Sequence, residues 1–162
     1  PYDPRRDRVL VIEQMRMGPM VRGDPLPWQI EAIAGRIDPG ESPEDCARRE
    51  AVEEAGLKLG RLEKVGEYYP SPGAVSEYLY SYVALCELAD DVAGVFGEAT
   101  EAEDIRGILL SFDELIDAMA RGLEEMADLP DPVARAIGGL LFLIGALIVY
   151  RIGTFIPVPY RC

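Results

Sequence analysis

The sequence contains no histidine, which excludes serine–histidine triads, histidine metal ligands and imidazole proton shuttles. Cysteine is scarce: Cys46, Cys86 and Cys162 are odd in number, widely spaced and without a CxxC pair, which is typical of a reducing compartment rather than a disulfide framework. Cationic residues are few: the chain has 16 Lys and Arg but 29 Asp and Glu, so its formal net charge is -13. This balance argues against nucleic acid as a partner. Any acid–base chemistry therefore falls to carboxylates, on a chain of 162 residues that is long enough for one domain with a core.

A helix is predicted within residues 35–57, where the acidic residues are spaced most regularly. Ser42 followed by Pro43 indicates its start, with a capping hydroxyl and a proline at the first helical position. Asp45 adds a carboxylate in the first turn, and Gly56 indicates the end of the helix.

Three carboxylates share one face of this predicted helix. Glu50, Glu53 and Glu54 stand at i, i+3 and i+4, within an arc of roughly 100°. Like charges at this spacing repel and cost stability unless a cation lies among them. A divalent metal is the simplest candidate, and carboxylate ligands suit Mg²⁺ or Mn²⁺, with Glu41 on the preceding loop as a further ligand or a group behind the ligands. The alternative is a solvated acidic helix face.

The spacing of these residues resembles the Nudix box. Gly35 is followed after five residues by Glu41, and after seven more by REAVEEAGL at residues 49–57, with no departure from the family's pattern. The resemblance implies an α/β Nudix fold, a mixed β-sheet sandwiched between helices, and hydrolysis of a nucleoside diphosphate linked to another group. The metal ligands that it implies are the Ala34 carbonyl, Glu50, Glu53 and Glu54.

Two stretches outside the Nudix box indicate the substrate and the general base. Residues 71–77, in which Pro72 lies fifteen residues beyond Leu57, resemble a segment of ADP-ribose pyrophosphatases, which form AMP and ribose 5-phosphate. GDP-mannose and other nucleotide-sugar pyrophosphatases carry nearly the same segment and are one alternative; an inactive Nudix-like binding fragment is another. Residues 97–105 are similar to the family's catalytic loop, in which a glutamate acts as general base.

The resemblance assigns roles to individual residues of this sequence. Arg49 would orient the metal-binding carboxylates by ion pairing. The catalytic residues that it implies are Glu101 as base, Glu103 as the next candidate base, Glu53 and Arg49. The substrate contacts that it implies are Arg16, Glu31, Gly35, Glu41, Pro72 and Glu77.

The remaining secondary structure follows from apolar periodicity and turn residues. Residues 2–7 indicate a turn, and residues 18–27 and 90–104 indicate loops. Ser111 and Glu114 form a capping box that predicts a second helix. The predicted strands are residues 8–16, 28–34, 62–69, 77–88 and 105–111.

We expect residues 1–127 to form the Nudix domain and residues 128–162 an apolar tail. Because relatives of this kind carry a strand region before this point, the resemblance implies an N-terminally truncated domain, with the strand at residues 8–16 lacking its hairpin partner and presenting an open edge. The resemblance also implies a cytoplasmic homodimer.

The apolar tail raises a separate question. Residues 137–150 carry no charge, and with the residues that follow they resemble the first transmembrane segment of the bacterial protein-translocation channel subunit, so membrane contact is one interpretation. An apolar helix buried in the domain or in a dimer interface is the other.

Overall fold

The structure is a computed structural model that describes residues 1–97 and 104–127, with only the backbone described for residues 121–127. The predicted tail at residues 128–162 and the two candidate bases, Glu101 and Glu103, lie outside the described residues. The described residues divide into two compact units, one of residues 1–63, 84–97 and 104–117 and the other of residues 64–83 and 118–127.

Seven strands and three helices are described. In chain order they are β1 (Tyr2–Asp3), β2 (Arg8–Met15), α1 (Met17–Arg22), β3 (Trp28–Glu31), α2 (Pro43–Ala55), β4 (Arg61–Tyr68), β5 (Leu79–Leu85), β6 (Val95–Phe96), β7 (Ile105–Ser111) and α3 (Phe112–Ala127).

Strand β2 organises the sheet of the first unit. One edge of β2 pairs antiparallel with β7, and the other pairs antiparallel first with β1 and then with β3. Strand β6 pairs antiparallel with β7, while Tyr2 of β1 pairs in parallel with Leu85 of β5. This mixed sheet with its helices confirms the α/β class. The expected open edge on the strand at residues 8–16 is wrong, because β2 has partners along both edges.

Local structure departs from the sequence-based expectation in two loops. Residues 18–27 were expected to be a loop, but α1 occupies their first half and ends at Gly23, whose φ of 79° lies in the left-handed region. Pro19 is tolerated because the first turn of a helix leaves N–H groups unpaired. The expected loop at residues 90–104 contains β6, which has only two residues and therefore shows no apolar alternation.

The core of the first unit joins α2 to the sheet. Leu10 of β2, Ala55 at the end of α2, Leu57 and Leu88 form a buried cluster. Each fully buried leucine contributes about 2 kcal/mol relative to an exposed one. Partly buried residues around this cluster are Ile33, Leu59, Cys86, Val92 and Leu109.

The second unit contains most of β4 and β5, which are neighbouring strands. Tyr78 makes edge-on ring contacts with Tyr69 and Tyr80, at centroid distances of 4.7 Å and 5.4 Å. Within residues 1–97 and 104–127, none of the helices combines the length and the apolar character needed to cross a membrane.

Candidate active site on helix α2

Helix α2 begins and ends where the sequence predicts. The Ser42 hydroxyl accepts a hydrogen bond from the Asp45 N–H at 3.1 Å, Pro43 is the first helical residue, and Gly56 closes the helix with φ of 57°. The buried residues of α2 are Cys46, Ala51, Glu54 and Ala55. The Glu50 side chain is 13% exposed, whereas that of Glu53 is 37% exposed.

The cation among the carboxylates is the guanidinium of Arg49. Its Nε and Nη2 donate to the two carboxylate oxygens of Glu41, at 3.0 Å and 3.1 Å. Its Nη1 donates to Glu50 at 2.7 Å and to Glu53 at 2.8 Å, and its Nη2 also donates to the Arg36 carbonyl at 2.9 Å. One side chain thus holds three carboxylates and fixes the loop before the helix onto the helix.

These contacts shift the protonation of the groups involved. Hydrogen bonds from Arg49 hold the pKa of Glu41 below its usual value, and hydrogen bonds to Glu41, Glu50 and Glu53 raise the pKa of Arg49. Burial, together with the nearby charges of Glu41 and Glu50, raises the pKa of the Cys46 thiol to about 11. A thiol with this pKa is protonated at neutral pH.

The third carboxylate of the helix face lies deeper. Glu54 is 3% exposed, and one of its oxygens accepts a hydrogen bond from the Ala34 N–H at 3.1 Å. Beside it, a Cβ on Gly35 would overlap the carboxylate of Glu50, so that only glycine leaves room for this side chain. The segment after β3 is therefore shaped around the carboxylates of α2.

The possible metal ligands at this site are carboxylate and backbone oxygens, the type of ligand that a hard divalent cation such as Mg²⁺ prefers. Within the described residues, no three Asp, Glu or Cys side chains are arranged ready to hold a metal. The ion pairs explain this, because Arg49 engages Glu50 and Glu53 while Glu54 faces the Ala34 N–H. A bound cation would have to share these oxygens with the guanidinium.

The NUDIX domain matches residues 2–129. The chain belongs to the Nudix family. It is 41% identical over 122 residues to an "ADP-ribose pyrophosphatase" of Escherichia coli K12, which covers 75% of this chain and 57% of that protein. A Haemophilus influenzae protein of the same name is 34% identical over 123 residues, covering 75% and 56%.

A Nudix relative with a different name is similar to nearly the same degree. The "GDP-mannose pyrophosphatase" of Enterobacter sp. is 35% identical over 121 residues, covering 75% of this chain and 62% of that protein. The chain thus spans little more than half the length of the curated relatives that it matches.

The other predicted Nudix residues are distributed over both units. In the first unit, Arg16 Nε donates to Glu31 at 2.7 Å, which joins the end of β2 to β3. In the second unit, Pro72 lies in a turn after β4 and Glu77 lies before β5, and both are exposed.

Two contacts of the site were missed by sequence reasoning. The Arg36 carbonyl and the Cys46 sulfur both accept from Arg49, the latter at 3.6 Å. The position of Cys46 three residues before Arg49 on the helix could have indicated the second contact. The first depends on the path of the loop, which no local pattern encodes.

Proposed function

We propose that this Nudix domain hydrolyses the diphosphate linkage of ADP-ribose, giving AMP and ribose 5-phosphate. The observation that carries the proposal is the carboxylate face of α2, where Glu50, Glu53 and the buried Glu54 are held by Arg49 and the Ala34 N–H. The identity of 41% to a protein named ADP-ribose pyrophosphatase supports this substrate.

The ion that we propose is Mg²⁺ or Mn²⁺. Its ligands would be Glu50, Glu53, Glu54 and the Ala34 carbonyl. When bound, a divalent cation neutralises the diphosphate and polarises the attacking water. Arg49 keeps the carboxylates gathered on one side of the helix, and Glu41 holds the guanidinium from the opposite side. A cation that binds Glu50 and Glu53 would share their oxygens with the guanidinium.

Proton transfer and substrate binding are assigned to other residues of the chain. By resemblance to the family's catalytic loop, Glu101 would take the proton of the attacking water, with Glu103 as the next candidate. The proposed substrate contacts are Arg16, Glu31, Gly35, Glu41, Pro72 and Glu77.

A GDP-sugar is the second candidate substrate, because relatives named GDP-mannose pyrophosphatase are 35% to 36% identical. Product analysis with ADP-ribose, GDP-mannose, NADH and diadenosine polyphosphates, each with Mg²⁺ or with a chelator, separates the candidates. The proposal requires the highest kcat/KM for ADP-ribose and no turnover with chelator. A higher kcat/KM for GDP-mannose would show that GDP-mannose is the preferred substrate. If no compound were turned over, the alternative of an inactive Nudix-like binding fragment would be supported.

We further propose that the protein acts as a cytoplasmic homodimer, as the family resemblance implies. Light scattering of the purified chain tests the dimer, and a mass of one chain would contradict it. The interpretation of residues 137–150 as a membrane-contacting segment stays a prediction, and cosedimentation with phosphatidylglycerol vesicles tests it against the alternative of a buried helix.

A further inference from the structure

Three tyrosine rings form a row on the surface of the second unit. Tyr69 directly follows β4, while Tyr78 directly precedes β5 and Tyr80 lies within it. Tyr78 is in the middle and contacts Tyr69 on one side and Tyr80 on the other. All three side chains are exposed, whereas Ser81 and Val83, at the alternate positions of β5, are buried. The row therefore faces solvent and is not part of a core.

The two ends of the row differ in how much of the ring is covered. At one end, Lys64 Nζ lies over the Tyr80 ring, 5.6 Å from its centroid, so one face of that ring is occupied by a cation. At the other end, Tyr69 is 55% exposed, and among the described residues Tyr78 is the one aromatic side chain in contact with it. An edge-on contact covers at most one face of a ring. Tyr69 therefore keeps a ring face that no aromatic side chain of the described residues covers.

This open ring lies at the base of the connection between β4 and β5. Residues 70–77 form the connection, and the contact of Tyr69 with Tyr78 closes it at a centroid distance of 4.7 Å. Pro72 and Glu77, two of the substrate contacts proposed above, both lie in this connection and are exposed. The open ring and these two proposed contacts thus belong to one exposed loop of one unit.

We propose that the uncovered face of the Tyr69 ring stacks on the nucleobase of the substrate, while Tyr78 holds the ring in place. A planar base stacks on an aromatic side chain through its face, whichever hydrogen-bonding groups its edge carries. The surface would therefore accept adenine and guanine alike, and it would leave discrimination between them to other contacts. This inference rests on the proposed function and adds to it the group that binds the base.

The alternative role for the row is to fasten the loop onto the two strands. Fastening requires apolar volume at position 69, whereas stacking requires a planar ring there. Tyr69→Phe keeps the ring, and Tyr69→Leu keeps apolar volume without it, so the two variants separate the roles. Tyr80→Leu is the matched control, because it makes the same chemical change at the end of the row where Lys64 already covers the ring.

The measurement is the dissociation constant of AMP for each variant, by calorimetry with Mg²⁺, and folding is checked by circular dichroism. Ribose 5-phosphate is the comparison ligand because it has no base. We expect Tyr69→Leu to weaken AMP binding by about 5- to 150-fold, the range for loss of one base stacked on an aromatic ring. Ribose 5-phosphate affinity should stay near native, Tyr69→Phe should retain most of the AMP affinity, and Tyr80→Leu should bind AMP like the native protein.

Three results would overturn the inference. The first is native AMP affinity in folded Tyr69→Leu, or no AMP binding by the native protein. The second is an equal loss of AMP affinity in Tyr80→Leu, which would show that the row only fastens the loop. The third is a loss of ribose 5-phosphate affinity by the same factor as AMP.

A second variant covers the case in which Tyr69→Leu does not fold. Tyr69→Trp enlarges the ring and reports contact directly, because a base stacked on an indole quenches its fluorescence. Native protein provides the reference signal, since Trp28 is its single tryptophan. We expect AMP to quench Tyr69→Trp saturably and more than it quenches the native protein, with ribose 5-phosphate causing no such change. Equal quenching of the two proteins by AMP would contradict stacking at position 69.

Steady-state kinetics separates this inference from the proposed function. Because the base takes no part in the reaction, Tyr69→Leu should raise KM for ADP-ribose and leave kcat near native. If native protein hydrolyses ADP-ribose but its AMP affinity does not depend on the ring, the stacking role alone is wrong. If native protein binds AMP through Tyr69 but hydrolyses none of the nucleotides, the proposed activity is wrong and the binding surface stands.

Discussion

The buried carboxylate of Glu54 accepts a hydrogen bond from the backbone N–H of Ala34 at 3.1 Å. Because Glu54 is on α2 and Ala34 follows β3, this bond ties the helix to the segment that carries the first glycine of the Nudix box. A carboxylate that is 3% exposed is costly unless polar partners surround it. Glu54 is therefore placed by the fold before any cation binds.

Arg49→Gln removes the cation that gathers three carboxylates. Without metal, the free energy of unfolding of this variant should be about 1 to 2 kcal/mol lower than that of the native protein, because the repulsion among the carboxylates on the helix face is no longer offset. Its unfolding temperature should fall accordingly. It should also bind Mn²⁺ more tightly, since the guanidinium no longer competes for Glu50 and Glu53. Thermal unfolding and calorimetry measure both effects.

The control is Arg48→Gln, because Arg48 donates to the backbone carbonyls of Leu59 and Gly60 rather than to carboxylates. Its Mn²⁺ affinity should equal that of the native protein. Weaker Mn²⁺ binding in Arg49→Gln than in Arg48→Gln would show that Arg49 builds the metal site instead of competing for it.

Gly35→Ala should displace the carboxylate of Glu50, because the added Cβ would occupy the same space. We expect a destabilised protein with metal-dependent turnover lowered by at least about tenfold, as for other shifts of positioned groups. Gly18→Ala is the matched control: no atom lies near its added Cβ, and alanine in α1 should be neutral or stabilising by up to about 1 kcal/mol. Equal activity of the two variants would remove Glu50 from the site.

Asp3→Asn probes the pH dependence of folding. Burial alone would raise the pKa of Asp3, but hydrogen bonds from the N–H groups of Leu88, Arg5 and Arg6 outweigh it and lower the pKa. Because the pKa of Asp3 is lower in the folded than in the unfolded state, its ionisation stabilises the protein at pH values above the unfolded-state pKa, about 3.9. This stabilisation is lost as the pH falls through the folded-state pKa.

At pH 7, Asp3→Asn should therefore be less stable than the native protein by about 1 to 3 kcal/mol, and the difference should narrow below about pH 4. Urea unfolding at several pH values measures it. Asp113→Asn, at an exposed residue of the first turn of α3, is the control and should show a small, nearly constant difference. If the difference in stability between Asp3→Asn and the native protein does not change with pH, the lowered pKa of Asp3 in the folded state is wrong.

Glu101→Gln should lower kcat while leaving KM and Mn²⁺ affinity near native, because a base that deprotonates water contributes to the transition state rather than to binding. General bases contribute typically about 10² to 10⁴ in rate. Glu103→Gln is the comparison variant. A native kcat in Glu101→Gln together with a loss in Glu103→Gln would move the base to Glu103.

Features set by local chemistry could be predicted from the sequence. The ends of α2 follow from Ser42 and Gly56, and the start of α3 follows from the reciprocal hydrogen bonds of Ser111 and Glu114, which the structure contains. Arg49 and Glu53, four residues apart on a helix, were likewise within the reach of sequence reasoning.

Features set by chain path could not be predicted in this way. Strands β1 and β6 have two residues each, too few for an apolar period, and exist through their pairing with β2 and β7. The contact of Ala34 with Glu54 uses a backbone N–H, which every residue except proline carries and which therefore leaves no mark in the sequence.

The most direct test of the proposed activity is the release of AMP from ADP-ribose by native protein and by Glu54→Gln, each with Mg²⁺ and with a chelator. Glutamine keeps an oxygen for the Ala34 N–H, so the fold should be retained while the negative charge is lost. We predict AMP release by native protein with Mg²⁺, none with chelator, and a rate at least about a hundredfold lower in folded Glu54→Gln. Equal AMP release with chelator, or by Glu54→Gln, would contradict hydrolysis by metal bound to the carboxylates of α2.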